Sequence, residues 1–294
     1  MWGMLRYWSN CLNFIGITWI IRHETFGIHK RRRNQVMTEQ QTWVMIRGLM
    51  RDKRHWQAFA DNLLAAGFRV ELIDLPGNGD RVADTSPWDI QDYADFVADE
   101  MLRRKVGKCR ILAISMGAMV AMTLAGINDT EAGRQKGFQL EGLLLLNSSA
   151  ADLSPWYQRF RLQALLRALC ARVKGEGIQW REATILALTS LAHAKDKSLC
   201  RFWSQLALEA KTTLANGLRQ IVASARFRSP AKLWVPATIV YGCDDRLVSP
   251  KCSVRLAAKY RQKPIPFCRC GHDVALDRPE LLLELVQRLS RQTP

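Results

Sequence analysis

The residues with the most chemistry in them sit at three places in the chain. The first is Ile111-Leu112-Ala113-Ile114-Ser115-Met116-Gly117-Ala118, where an apolar run meets a small-residue helix start through a single serine. Ala113 and Gly117 stand two positions either side of Ser115. That is the Ala-x-Ser-x-Gly form of a nucleophile elbow, a strand-to-helix turn that strains the serine backbone and presents its hydroxyl. Small residues are needed because the helix packs close to the strand, and a bulky side chain at 113 or 117 would clash. The helix amino terminus also aims free N–H groups at any oxyanion formed beside it. Alone the pentapeptide is weak, since Ala-rich helix starts are common and a serine at a helix amino end has ordinary structural uses.

A serine nucleophile needs a base, and the base needs an orienting carboxylate. Gly242-Cys243-Asp244-Asp245-Arg246-Leu247-Val248 follows an apolar run and places a carboxylate at the carboxyl end of a strand. Gly271-His272-Asp273 lies between the last strand and the last helix, the equivalent end of the sheet. His272 is the only histidine after His193. Ser115, His272 and Asp245 are therefore the candidate nucleophile, base and orienting acid of an acyl transfer to water. Asp244 is an alternative acid, and so is Asp152, just after the fourth strand. His55 reads as a residue packed near the first helix start.

These loops must be brought together by the elements between them. Trp43-Val44-Met45-Ile46, ended by Arg47-Gly48, reads as a buried strand. Periodicity predicts a helix over 55–66 closing at Gly67, then a strand over 68–75 broken by Pro76-Gly77-Asn78-Gly79. A helix over 87–104, a strand over 110–114, a helix from 116 to about 127 and a strand over 142–146 follow. Residues 150–230 break the rhythm. They are helix-rich and hold Trp156, Tyr157, Phe160, Trp180, Phe202 and Trp203. Alternation then resumes, with strands at 237–241 and near 264–268 and helices near 251–259 and at 278–291. Strands alternating with helices imply an α/β fold whose parallel sheet is covered on both faces. Residues 37–149 and 231–294 form the expected core, and 150–230 an inserted helical cap.

With these motifs in view, the chain resembles the α/β-hydrolase superfamily of the serine esterase/lipase type over about residues 42–292, apart from the cap. The order Ser115, Asp245, His272 is that superfamily's order. Asp74-Leu75-Pro76-Gly77-Asn78-Gly79 resembles its Asp-x-Pro-Gly-His-Gly loop, with Asn for His. Gly242 to Pro250 resembles its acid loop, in which the second aspartate belongs to the triad. Domain size and cap placement are similar to small carboxylesterases of the pimeloyl-carrier-protein methyl ester type. The resemblance implies a mostly parallel sheet of about six strands, and hydrolysis of an ester or thioester through an acyl-enzyme. It implies an oxyanion hole from the backbone N–H groups of Leu49 and Met116, with no cofactor and no metal. Arg47-Gly48 replaces the usual His-Gly pair. Arg47 then has either a structural role or a contact with an anionic substrate group, and Trp156, Tyr157 and Trp203 are candidates for the acyl pocket.

Composition bounds the partners. The 294 residues carry 43 Lys and Arg against 27 Asp and Glu, a net charge of +16, with 48% hydrophobic residues. That mix is globular, and no apolar run reaches the ~20 residues of a membrane span. Residues 1–36 hold six of the cations and are expected to lie outside the fold, with a membrane-surface anchor or a weak targeting sequence as alternatives. The eight cysteines lack metal-ligand spacing, and reduced thiols in the cytoplasm are the expectation. Residues 150–230 carry 13 Lys and Arg against 5 Asp and Glu, so the cap alone holds +8. Half the net charge over the expected entrance points to an acidic substrate or carrier rather than a nucleic acid. The rival readings are a non-catalytic binding protein on the same scaffold, and a peptidase, C–C bond hydrolase or lipase.

Overall fold

Every residue of Thr42–Ile46 is buried, so this strand, β1, belongs in the middle of a sheet rather than at its edge. A computed structural model describes residues 40–127, 137–161 and 177–292 and places β1 there. Six strands pair in parallel in the order β2-β1-β3-β4-β5-β6. The others are β2 (Arg69–Ile73), β3 (Lys108–Ile114), β4 (Gln139–Leu146), β5 (Ala237–Gly242) and β6 (Ile265–Phe267). The six-stranded α/β sheet expected from the sequence is the one observed.

Alternate residues of the strands feed two cores. Val44, Ile46, Ile111, Ala113, Leu143 and Leu145 pack on one face against α2 (Ile90–Arg103), α3 (Met116–Ile127) and α8 (Pro250–Lys259). Trp43, Met45, Leu112, Ile114, Leu144 and Leu146 pack on the other against α1 (Ala58–Ala65) and α10 (Pro279–Arg291). The chain leaves β1 toward β2 on one side and returns to build β3 on the other. The order therefore reverses at the carboxyl ends of β1 and β3, the place where open parallel sheets bind their ligands.

The helix expected over 55–66 is two pieces. Asp52 accepts from the Arg54 N–H and forms a capping box with His55, which winds Lys53–Trp56 into a 3₁₀ turn. Gln57, with φ of 48°, then breaks the chain before α1 begins. Similarly, α2 starts at Ile90 rather than 87, because the Asp89 side chain caps it by accepting from the Gln91 N–H.

The described residues of 150–230 form α4 (Trp156–Arg159), α5 (Ile178–Thr189), α6 (Lys197–Glu209) and α7 (Leu214–Arg226), with no strand among them. Helices α5 and α6 share a small core of Leu186, Trp203 and Leu206. Their junction is stitched to α9 (Val274–Asp277), where the Asp277 carboxylate accepts from Ser190 Oγ and from the N–H groups of Leu191 and Ala192. Helix α7 lies over the 76–88 loop, with Asn216 Oδ1 accepting from the Ser86 N–H at 2.9 Å. The expectation for residues 1–36 falls outside the described residues. No described helix is long and apolar enough to cross a membrane.

Candidate active site

Ser115 joins β3 to α3 with φ of 57°, a left-handed conformation that a non-glycine residue adopts at a cost. The surroundings hold it there. Its N–H donates to Leu146 O at 2.9 Å, and Ser148 Oγ donates to its carbonyl at 3.0 Å. Gly117 explains the need for small residues, since a Cβ there would lie 2.6 Å from the carbonyl oxygens of both Ile46 and Arg47. A Cβ on Gly48 would come 3.0 Å from Ser115 Cβ. The ends of β1 and β3 thus approach at these two glycines, which brings Gly48 against Ser115.

The second half of the site is a histidine–carboxylate pair. His272 Nδ1 and Asp245 Oδ2 are 2.7 Å apart, and both residues are buried. The other Asp245 oxygen accepts from the N–H groups of Leu247 at 2.8 Å and Val248 at 2.9 Å, so the carboxylate has one orientation. Asp244 is exposed beside it. Asp152 is engaged elsewhere, accepting from Ser229 and from Lys259 Nζ at 3.0 Å. Burial pushes the Asp152 carboxyl up, but the Ser229 and Lys259 hydrogen bonds win and hold it near about 2. Asp245 is the acid the structure brings to His272.

Leu146 to Ser148, at the end of β4, touches both halves. Leu146 and Ser148 hold Ser115, while Asn147 Nδ2 donates to His272 O at 2.6 Å and to Gly271 O at 3.2 Å. Asn147 Oδ1 accepts from the Gly242 N–H at 2.8 Å, which ties in the strand leading to Asp245. Sequence reasoning missed Asn147. Its signal was an asparagine directly after an apolar strand, where its φ of 46° suits Asn better than most residues.

Arg47, for which a structural role and a contact with an anionic substrate group were both open, is paired inside the protein. It grips Asp273 in two-pronged fashion, at 2.6 Å and 3.3 Å, and its guanidinium lies 4.8 Å over the Trp56 ring. Burial pushes the Asp273 carboxyl up, but Arg47 outweighs that and holds it below its ordinary value. Trp203 is only 1% exposed, under the Arg51 guanidinium at 4.4 Å. Arg51 also bonds Glu182 of α5 at 2.8 Å, which fastens the helical block to the loop after Leu49. His55 lies in this layer as a packing residue, 5.4 Å from Trp203. Burial, then the charge of Arg51, lowers it from 6.5 to about 4.

Trp156 and Tyr157 stack edge to face at 6.1 Å and are exposed, at 64% and 55%. Asn78, standing where the resembled loop has histidine, is buried and accepts from Thr212 Oγ1 and Gln220 Nε2, both on the helical block. Two of the block's cations face inward: Arg159 donates to the carbonyls of Ser224 and Ala225, and Arg161 to that of Asp245. Lys195, Lys197, Arg201, Lys211, Arg226 and Arg228 remain exposed.

The chain matches the model of the alpha/beta hydrolase family over residues 43–285. It is 27% identical over 252 residues to a pimeloyl-[acyl-carrier protein] methyl ester esterase of Pectobacterium atrosepticum, covering 83% of this chain and 91% of that protein. It is 28% identical over 270 residues to a 2-hydroxy-6-oxononadienedioate/2-hydroxy-6-oxononatrienedioate hydrolase of Pseudomonas putida, covering 84% and 86%. Among solved structures it superposes on an esterase from Exiguobacterium antarcticum with a TM-score of 0.70 at 17% identity, covering 86% and 93% of the two chains. The chain belongs to the alpha/beta hydrolase family.

Proposed function

We propose that this hydrolase-family protein cleaves a carboxylic ester or thioester through an acyl-enzyme on Ser115. The observation that carries the reading is a strained serine at the β3–α3 elbow with an oriented histidine–aspartate pair tied to the same β4 terminus. Ser115 Oγ attacks the acyl carbonyl while His272 Nε2 takes its proton. Asp245 holds the imidazole with Nδ1 protonated and stabilises the charged ring that results. The N–H groups of Leu49 and Met116 receive the oxyanion, each worth roughly 3–4 kcal/mol to the barrier. His272 then returns the proton to the leaving alcohol or thiol, and water, activated by the same base, releases the acid.

The exposed cations of residues 150–230 support an acidic substrate or carrier, in keeping with the carrier-protein ester named for the Pectobacterium relative. The exposed Trp156–Tyr157 pair is the aromatic surface assigned to the acyl or carrier side. Residues 150–230 act in this reading as a cap over the serine. A second reading, C–C bond hydrolysis, rests on the name of the Pseudomonas relative.

A fluorophosphonate probe tests the nucleophile: it labels the wild type, and Ser115→Ala loses both labelling and ester turnover. A wild-type protein that resists the probe overturns the assignment. p-Nitrophenyl esters of varied acyl length, acyl-CoA, acyl-carrier-protein esters and a vinylogous 1,5-diketone separate the substrate classes. For an acidic carrier substrate, kcat/KM falls with added salt, whereas a small neutral ester is unaffected. Equal salt dependence returns the cations to a solvated surface.

A further inference from the structure

Strands β5 and β6 pair in parallel as far as Gly242 and Phe267, so Cys243 and Cys268 occupy the next register position beyond both strands. The Cys243 N–H donates to Phe267 O at 3.0 Å, which holds the two backbones together at that level. The two sulfurs lie 3.8 Å apart, and both residues are exposed. The other thiols among the described residues differ. Cys109, Cys252 and Cys270 are buried, and burial pushes the Cys109 thiol up to about 12. Cys200, on the helical block, is half-buried and its thiol donates to Gln179 O.

We infer that Cys243 and Cys268 form an oxidisable dithiol site that reacts with low-molecular-weight disulfides to close a reversible bridge between the Asp245 loop and the His272 loop. Neighbouring strands lie ~4.8 Å apart, within the Cα separation that a disulfide spans. The sulfurs must close from 3.8 Å to about 2 Å, which rotation about the two Cα–Cβ bonds supplies. In the reaction, one cysteine thiolate attacks a sulfur of the small disulfide and expels one thiolate, leaving a mixed disulfide. The second cysteine thiolate attacks the protein sulfur of that mixed disulfide and expels the other. One small disulfide is reduced to two thiols, and two cysteine thiols become one cystine. Burial, then the neighbouring Cys268, holds the Cys243 thiol above its ordinary value, so exchange accelerates as pH rises. The bridge falls two residues before Asp245 and four before His272, and the inference does not depend on the role given to Ser115.

The test is oxidation of the full chain with oxidised glutathione, followed by intact mass, peptide mapping and thiol titration under denaturing conditions. The expected product has lost two hydrogens and two titratable thiols, yields a Cys243–Cys268 cross-linked peptide, and reverts with dithiothreitol. Cys243→Ser and Cys268→Ser each stop at a single glutathione adduct on the remaining cysteine. An unchanged wild-type mass, stable double glutathionylation, or a cross-link through Cys200 or Cys270 instead overturns the inference.

Discussion

Arg47 and Asp273 form a buried, two-pronged ion pair whose shorter contact is 2.6 Å, directly beside His272 in sequence. The pair joins the end of β1, where Gly48 lies against Ser115, to the loop that carries His272. Both groups were desolvated to make it, so the pair is worth little against a well-packed apolar replacement, whereas losing one partner strands a buried charge. Arg47→Met is therefore expected to destabilise the fold by ~3–5 kcal/mol, and Asp273→Leu by a similar amount. The double variant recovers most of that loss. Urea denaturation of all four proteins measures the coupling, and additive losses would show that the pair is not a unit.

Asp245→Asn keeps the shape of the acid but removes its charge and disturbs the tautomer of His272. Under the proposed mechanism, kcat for a small ester falls on the order of 10³- to 10⁴-fold with KM nearly unchanged. Steady-state kinetics beside Asp244→Asn, which is expected to stay within about twofold of wild type, separates the two neighbours. A larger loss at 244 than at 245 reverses their roles.

His55 supplies a pH dependence separate from the His272–Asp245 pair. Its folded value of about 4 lies below its ordinary 6.5, so between those values the unfolded chain binds the extra proton. Stability is then fully present above pH ~6.5 and falls as pH drops toward ~4, by about 3 kcal/mol in total. Burial with Arg51 and Arg47 nearby sets this direction, and Asp52 opposes it. The carboxylates of Asp273 and Glu182, both held low by arginines, are lost in a more acid window, below ~4. Urea midpoints at pH 7 and pH 5 should therefore differ, and His55→Gln should flatten that difference. A variant that retains the full wild-type slope removes His55 as its source.

Gly117→Ala tests the elbow. The added methyl meets the carbonyl oxygens of Ile46 and Arg47 at 2.6 Å, and backbone cannot rotate away as a side chain would. A loss of roughly 1–3 kcal/mol or more is expected, with slower fluorophosphonate labelling because β1 and Gly48 are pushed from Ser115. Thermal unfolding and labelling rate together check it. Unchanged values would mean that β1 can yield at this point without disturbing the serine.

The separation of what each level decided follows from the range of the forces. Buried strands are continuous apolar runs and their helices carry one apolar face, so 43–46, 110–114 and 142–146 were legible as strands from local composition. Turn chemistry is local too, and the small residues around Ser115 are enough to announce the elbow. The loops bearing Asp245 and His272 were legible because each follows a strand, and all parallel strands end at the same edge.

Side-chain partnership is not local. Nothing in the sequence at Arg47 says that it meets Asp273, because the two are 226 residues apart and join only when β1 and the last loop share a sheet edge. Long separation in sequence likewise hid the Arg51–Glu182 clasp, the burial of Trp203, and Asn147 between the two halves of the site. Sequence by itself determined a parallel α/β core and three residues with the types and order for acyl transfer. Only the tertiary structure decided which acid faces His272 and which arginines are internal, because desolvation and hydrogen-bond geometry exist only once the strands have assembled.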